Sequence, residues 1–306
     1  MDNLKVIFFG TNEFSVEILK ALNNCQDSNI EISCVCTKIA KPFGPKQMLK
    51  NSEVFNWAIE NKLHVETYKT LKKIEIQEEL KSFKADIGIV ASYGLILPQA
   101  VLDIFPLGCI NVHASILPKY RGSAPIQRAI MEGEDKTGIT IMKMDAGIDT
   151  GGILLQSEIE IKDKNCGDVF IDMAKLGGNL LIEYLKDYKN IIPQKQNNDN
   201  ATYANKIEND DCLIDFHIQS AKQIYQKILA LSPSPKAFFI NNKNEKIFVI
   251  DSKIHNSDFD ISAINPKKDI FIKCCDGNYI QLLTLQKEGR KILKSAEFLN
   301  GNKVNI

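Results

Sequence analysis

Asn111 and His113 stand two residues apart in the apolar run CINVHAS (109–115) and offer an amide donor and an imidazole. Alternate side chains of a strand point to the same side of its sheet, so the two groups face one way. Such a pair can hold a carbonyl oxygen as it gains negative charge. A histidine in an apolar run is more often a core residue bonded to a backbone carbonyl. Here the strand ends at once in SILP (115–118), and the functional reading is preferred. Further on, MDAGIDTGGILL (144–155) reads as a glycine-hinged loop that displays Asp145 and Asp149. An Asp beside Gly commonly just forms a turn; one of these two, brought near His113, would give a proton-carrying imidazole its partner. The chain has four histidines and three arginines, yet His113, Arg121 and Arg128 fall within twenty residues.

The elements that must position these groups alternate along the chain. KVIFFG (5–10), IEISCVCT (30–37), ADIGIVAS (85–92) and CINVHAS (109–115) are strand-like apolar runs. Between them lie helical patterns: Phe14, Ile18 and Leu22 on one face, SEVFNWAIEN with Ser52 as its cap, IEIQEELKSF, and PQAVLDI with Pro98 at its start. Continuous apolar strands joined by helices imply a mostly parallel sheet covered on both faces, with ligands at the carboxyl ends of its strands. The FFGTNEF turn (8–14) carries one glycine where a dinucleotide fingerprint needs three, so it reads as a structural turn.

A chain of 306 residues suggests two domains. After a helix around 167–187, the stretch 190–207 is polar, Asn-rich and aperiodic, and reads as a linker. Beyond it a short helix near 218–230 precedes LSPSPK and the strand-like runs AFFI, KIFVI, DIFIKCC and YIQLLTL, which suggest a small all-β barrel. Apolar residues make up 44% and charged residues 25%, ordinary for a soluble domain, and no apolar stretch is long enough to span a membrane. MDNLKVIFFG lacks the pattern of a secretory signal, so a cytoplasmic protein is expected. The close cysteine pairs, Cys34/Cys36 and Cys274/Cys275, lack zinc-ligand spacing, so reduced thiols and no metal are expected. Net charge is zero, and any polyanion must therefore meet a local basic patch.

INVHASILPKYRGSAPIQRAI followed by TGITIMKMDAGIDTGGILL resembles the folate-dependent formyltransferases. The similarity also takes in VIFFGTNEFSVEIL, ASYGLILPQAVL, YANKI and LLTLQKEGRKILKSAEFLNG, nearly the whole chain. The resemblance implies an α/β, Rossmann-like formyltransferase domain (1–189), a linker (190–207) and an OB-like β-barrel domain (208–306) that helps bind tRNA. It implies Asn111, His113 and Asp149 as the catalytic set. Asn111 and His113 would stabilise the oxyanion formed when an amine attacks the formyl carbon of 10-formyltetrahydrofolate, and Asp149 would orient His113 and help move protons. The co-substrate would lie against Tyr93, Gly94, Leu95 and Leu97 and against Ser115, Ile116, Leu117 and Pro118.

For the acceptor, the resemblance favours initiator methionyl-tRNA bound by a monomer, with no membrane partner. Its phosphates would meet Lys38, Lys41, Lys46 and Lys50 of a loop at 37–54, Lys119 and Arg121 of PKYRG, and Arg290 and Lys291 of EGRKILK. The loop reads GPKQ where the family is more strongly basic, and Leu229 stands where it often carries arginine. An amino-sugar nucleotide acceptor and a formyltetrahydrofolate hydrolase use the same catalytic set and stay open. A non-catalytic nucleic-acid-binding module would have no use for that set.

Overall fold

The computed structural model describes residues 3–25, 29–44, 47–302 and 304; Lys46 lies outside them. Along the chain run β1 (Leu4–Gly10), α1 (Glu13–Asn23), β2 (Ile30–Lys38), β3 (Lys41–Phe43), β4 (Met48–Lys50), α2 (Glu53–Glu60), β5 (Val65–Tyr68), α3 (Ile74–Ser82) and β6 (Ile87–Ala91). They are followed by α4 (Gln99–Leu102), β7 (Cys109–His113), β8 (Arg121–Gly122), α5 (Pro125–Glu132), β9 (Lys136–Lys143), β10 (Ile153–Glu160), α6 (Cys166–Asp187) and β11 (Tyr203–Ala204). The last elements are α7 (Ala221–Leu231), β12 (Ala237–Ile240), β13 (Lys246–His255), β14 (Ile270–Lys273), β15 (Tyr279–Lys287), β16 (Ile292–Lys294) and α8 (Ser295–Leu299). Two compact units form: 1–122 with 138–159 and 170–203, and 123–137 with 160–169 and 204–306.

The first unit is built on a seven-stranded sheet in the order β10-β9-β7-β6-β1-β2-β5. β1 pairs parallel with β2 and β6, β2 with β5, and β6 with β7, whereas β9 runs antiparallel to β7. Every residue of β6 and five of the seven in β1 are buried, which explains their unbroken apolar runs. Asn12 caps α1 by accepting from Ser15 N, and Phe14, Ile18 and Leu22 face inward. On that face Gly177 of α6 approaches Val112 so closely that a Cβ would lie 3.0 Å from Val112 Cγ1. The opposite face carries Phe9, Tyr93, Leu102, Phe105 and Cys109; burying a side chain such as Leu or Phe stabilises by about 1.5–3 kcal/mol. Burial pushes the Cys109 thiol up to about 12, so it stays neutral in this core.

Strand order reverses direction at β1, the kind of switch point where a crevice opens beyond the carboxyl ends. The ends are tied together there. Ser15 Oγ donates to Ala91 O (2.6 Å), Thr11 Oγ1 to Tyr93 O (2.7 Å) and Asn12 Nδ2 to Ser92 Oγ (2.9 Å).

The second unit holds a five-stranded sheet in the order β12-β13-β15-β14, with β16 on β15; all four strand pairings are antiparallel. The α7 helix opens with a reciprocal cap between Ser220 and Gln223 and packs on β13, over a core that includes Phe216, Phe239, Val249 and Leu285. The α5 helix packs against α7, so a segment that chain order would leave with the first domain belongs to the second unit. Arg128 of α5 grips Asp211 at 2.9 and 2.8 Å and also donates to Asn205 O and Lys206 O. This holds the Asp211 carboxyl below the ordinary carboxylate range.

Candidate active site

β7 ends the core and begins the site. Its parallel partner β6 and antiparallel partner β9 fix its register, with His113 opposite Thr140. Val112 turns to the α6 face, and Asn111 and His113 turn the other way. The loop between β9 and β10 brings Asp149 to them. Its Oδ1 lies 3.4 Å from Asn111 Nδ2, and its Oδ2 accepts from Gly122 N at 2.8 Å and lies 3.6 Å from His113 Nδ1. The other ring nitrogen, His113 Nε2, is 3.0 Å from Tyr120 O. A carbonyl only accepts, so Nε2 must carry a proton there. That leaves Nδ1 as the ring atom turned to the carboxylate.

The carboxylate is held from behind. Asp149 has φ +52, a left-handed conformation costly for a residue with a side chain. Gln196, 5% exposed, donates through Nε2 to Asp149 O (2.8 Å) and Gly151 O (2.7 Å). Its Oε1 accepts from Arg121 Nε (3.1 Å) and Nη2 (2.7 Å), and Nη2 also donates to Asn198 Oδ1 (2.9 Å). At Gly151 a Cβ would sit 1.7 Å from Lys143 O, so only glycine lets the loop close on β9.

The next loop is braced from β9 and β10. Thr140 Oγ1 donates to Ser115 O and accepts from Leu117 N, and Gln156 Nε2 donates to Leu117 O and Thr140 Oγ1. Ser115 Oγ donates to Lys119 O, closing the turn, and the Leu117–Pro118 peptide is cis.

Some expectations change. Arg121 does not face outward to a polyanion: it is 2% exposed, its guanidinium engaged by Gln196 and Asn198. Asp145 plays the turn-forming part, accepting from Gly147 N and Thr150 Oγ1, and Asp149 meets His113. Tyr93, Leu97, Ser115 and Leu117 are buried; Tyr93 lies edge-on to Phe9 at 5.4 Å, so these side chains belong to the core and do not line an open slot. Gly94, Leu95, Ile116 and Pro118 retain accessible surface, as does Ile96, which is 79% exposed and carries no chemical signal of its own in the sequence.

Of the basic residues, Lys38 is half-buried at the end of β2, beside Gly94, and its ammonium is pulled below the usual range by partial burial and by neighbouring Lys41. Lys41, Lys119, Arg290 and Lys291 are exposed, and Lys50 pairs with Glu53 at 2.9 Å. Lys46 is outside the described residues.

The stretch 190–203 is not a free tether. Gln194 pairs with Ile153 through both backbone bonds at 2.8 Å, Arg121 N donates to Thr202 O (2.9 Å), and Tyr120 N to Thr202 Oγ1 (2.9 Å). Its polar composition reflects side chains spent on holding two loops. The signal available was Gln194 and Gln196 at strand spacing in IIPQKQ. Thr140 and Gln156, polar residues inside strand-like runs, carried a similar signal.

Residues 4–185 match the formyl transferase family, and residues 206–303 match the formyl transferase C-terminal domain. The chain belongs to the formyl transferase family. Among its relatives, proteins named methionyl-tRNA formyltransferase from Campylobacter lari and Ehrlichia canis are 38% and 39% identical to it. Each alignment covers 98% of this chain and 97% or 98% of the relative. In three dimensions the chain is similar to the N-formyltransferase from Helicobacter canadensis, solved with folinic acid and dTDP-3-aminofucose. There the TM-score is 0.65 and the identity 22%, over 93% of this chain and 99% of that one, a likeness of fold.

Proposed function

We propose that this formyl transferase moves the formyl group of 10-formyltetrahydrofolate to the free amino group of initiator methionyl-tRNA, giving N-formylmethionyl-tRNA. The chemistry rests on one observation, the Asp149 carboxylate set between the Asn111 amide and His113 Nδ1. The acceptor rests on the end-to-end match to relatives that bear that name.

In this reading the uncharged amine attacks the formyl carbon, the bond from that carbon to the folate nitrogen breaks, and the proton lost by the amine ends on the folate nitrogen. Asn111 Nδ2 donates to the formyl oxygen as it becomes negative. The proton leaving the amine passes to the His113 Nδ1 and Asp149 Oδ2 pair, whose 3.6 Å gap closes to a hydrogen bond once Nδ1 is protonated. Tyr120 O fixes the ring while this happens. Exposed Ile96 and half-buried Leu95 and Ile116 supply apolar surface suited to a flat pterin. Lys38, Lys41 and Lys119 in the first unit and Arg290 and Lys291 in the second are the candidates for tRNA phosphates.

The test is transfer of labelled formyl from 10-formyltetrahydrofolate to charged initiator tRNA, charged elongator tRNA and an amino-sugar nucleotide. Label on initiator methionyl-tRNA alone is expected. Label on the sugar alone would overturn the acceptor, and release of free formate with no acceptor labelled would point to a hydrolase.

A further inference from the structure

Arg121 and Gln196 are two buried polar side chains whose hydrogen bonds go to groups other than Asn111 and His113, yet lead to Asp149. Gln196 uses both amide hydrogens on the carbonyls of Asp149 and Gly151, at 2.8 and 2.7 Å, and so clamps the turn on either side of Thr150. Its oxygen is held by two nitrogens of one guanidinium, which fixes the direction of the amide. The residue after Arg121 supplies the backbone N–H that binds Asp149 Oδ2 at 2.8 Å. One two-residue strand therefore holds the carboxylate directly and its backbone indirectly. A guanidinium buried among amides is an expensive way to close a turn. It is intelligible where the turn must keep a non-glycine residue at φ +52 and a carboxylate in register with two side chains of another strand.

We propose that Arg121 and Gln196 are positioning residues for Asp149, so that the segment after α6 is part of the catalytic apparatus. This rests on the functional reading above. The side chain of Arg121 acts through Gln196 and carries no tRNA phosphate.

Three variants test it: Gln196→Glu, which keeps the acceptor for Arg121 but replaces both donors with a group that repels the two carbonyls; Gln196→Met; and Arg121→Lys, which keeps the charge and loses the fork. Each is measured by steady-state formyl transfer and by NMR of the imidazoles, of which the chain has four. Turnover is expected to fall by roughly 10- to 100-fold, the scale of a catalytic group displaced by a fraction of an ångström to an ångström. KM for tRNA and for folate should stay within about twofold, as expected when only the reacting geometry is lost. The His113 resonances should shift, with those of His64, His217 and His255 unmoved. If Gln196→Met fails to fold, Gln196→Glu and Arg121→Lys still decide the matter. Turnover within twofold of the parent enzyme, an unmoved His113 signal, or a rise in KM for tRNA with kcat unchanged would each overturn the proposal. Failure of the functional reading looks different: the parent enzyme itself would not label methionyl-tRNA.

Discussion

Around Asp149 and on the turn between β15 and β16, the same molecule uses charge in opposite ways. Near Asp149 the ionic groups are enclosed and each is assigned: Arg121 to Gln196 and Asn198, the carboxylate to Asn111, Gly122 and Nδ1 of His113. At the turn, Arg290 and Lys291 are exposed in the second unit. Low dielectric makes interactions strong and position critical in the first region, while water and salt screen the second. Substitutions in the interior network should therefore change turnover, and those on the exposed turn should change binding in a way that salt modulates.

The largest contrast is expected from His113→Ala and Asp149→Ala. Each should keep the fold, by circular dichroism and thermal melting, and slow turnover by about 10²–10⁴, the usual contribution of a positioned group that carries a proton in the transition state. Near-normal turnover in either would end the catalytic assignment. Gly151→Ala sharpens the point without touching a charge, because its new Cβ meets Lys143 O at 1.7 Å and forces the loop away from β9. Turnover should fall by about tenfold or more, together with a lowered melting temperature.

Arg128→Met serves as the control for a buried-facing arginine outside the site. With side-chain exposures of 19% for Arg128 and 27% for Asp211, the pair is partly screened, and its loss should cost about 1–2 kcal/mol in denaturant unfolding. Because Arg128 depresses the folded pKa of Asp211, the pair's stabilisation is present at neutral pH. It is lost as the pH falls below about 4 and through the folded value, so parent and variant curves should converge in acid. The smallest effects belong to Arg290→Ala and Lys291→Ala. Each should raise KM for tRNA a few-fold with kcat unchanged and reduce the log–log salt slope by about one. A salt-independent loss would move these residues out of any phosphate contact.

Much of the site was legible because its signals are local. An apolar strand that ends in Asn-x-His, and a glycine-hinged loop with two aspartates, can be read within a few residues. What was misread depends on distant partners. Arg121 looks like a phosphate ligand in PKYRG until Gln196, 75 positions on, is found against it. Arg128 falls close to His113 and Arg121 in the sequence, yet its partner is Asp211, 83 positions on. The stretch 190–203 looks like a tether because a sequence shows amides without showing which carbonyls they meet.

By itself, the sequence determined the apolar runs that make the strands, the alternation that sends Asn111 and His113 to one side, and the family signature they carry. Backbone sterics and the period of a strand act between near neighbours, so these need no knowledge of the fold. Only the tertiary structure decided that Asp145 is taken up by its own turn, that Arg121 faces inward, and that Gln196 stands behind the Asp149 loop. The physical reason is that a buried polar group must find its partner wherever the chain brings one, and these partners lie 27 to 75 residues apart.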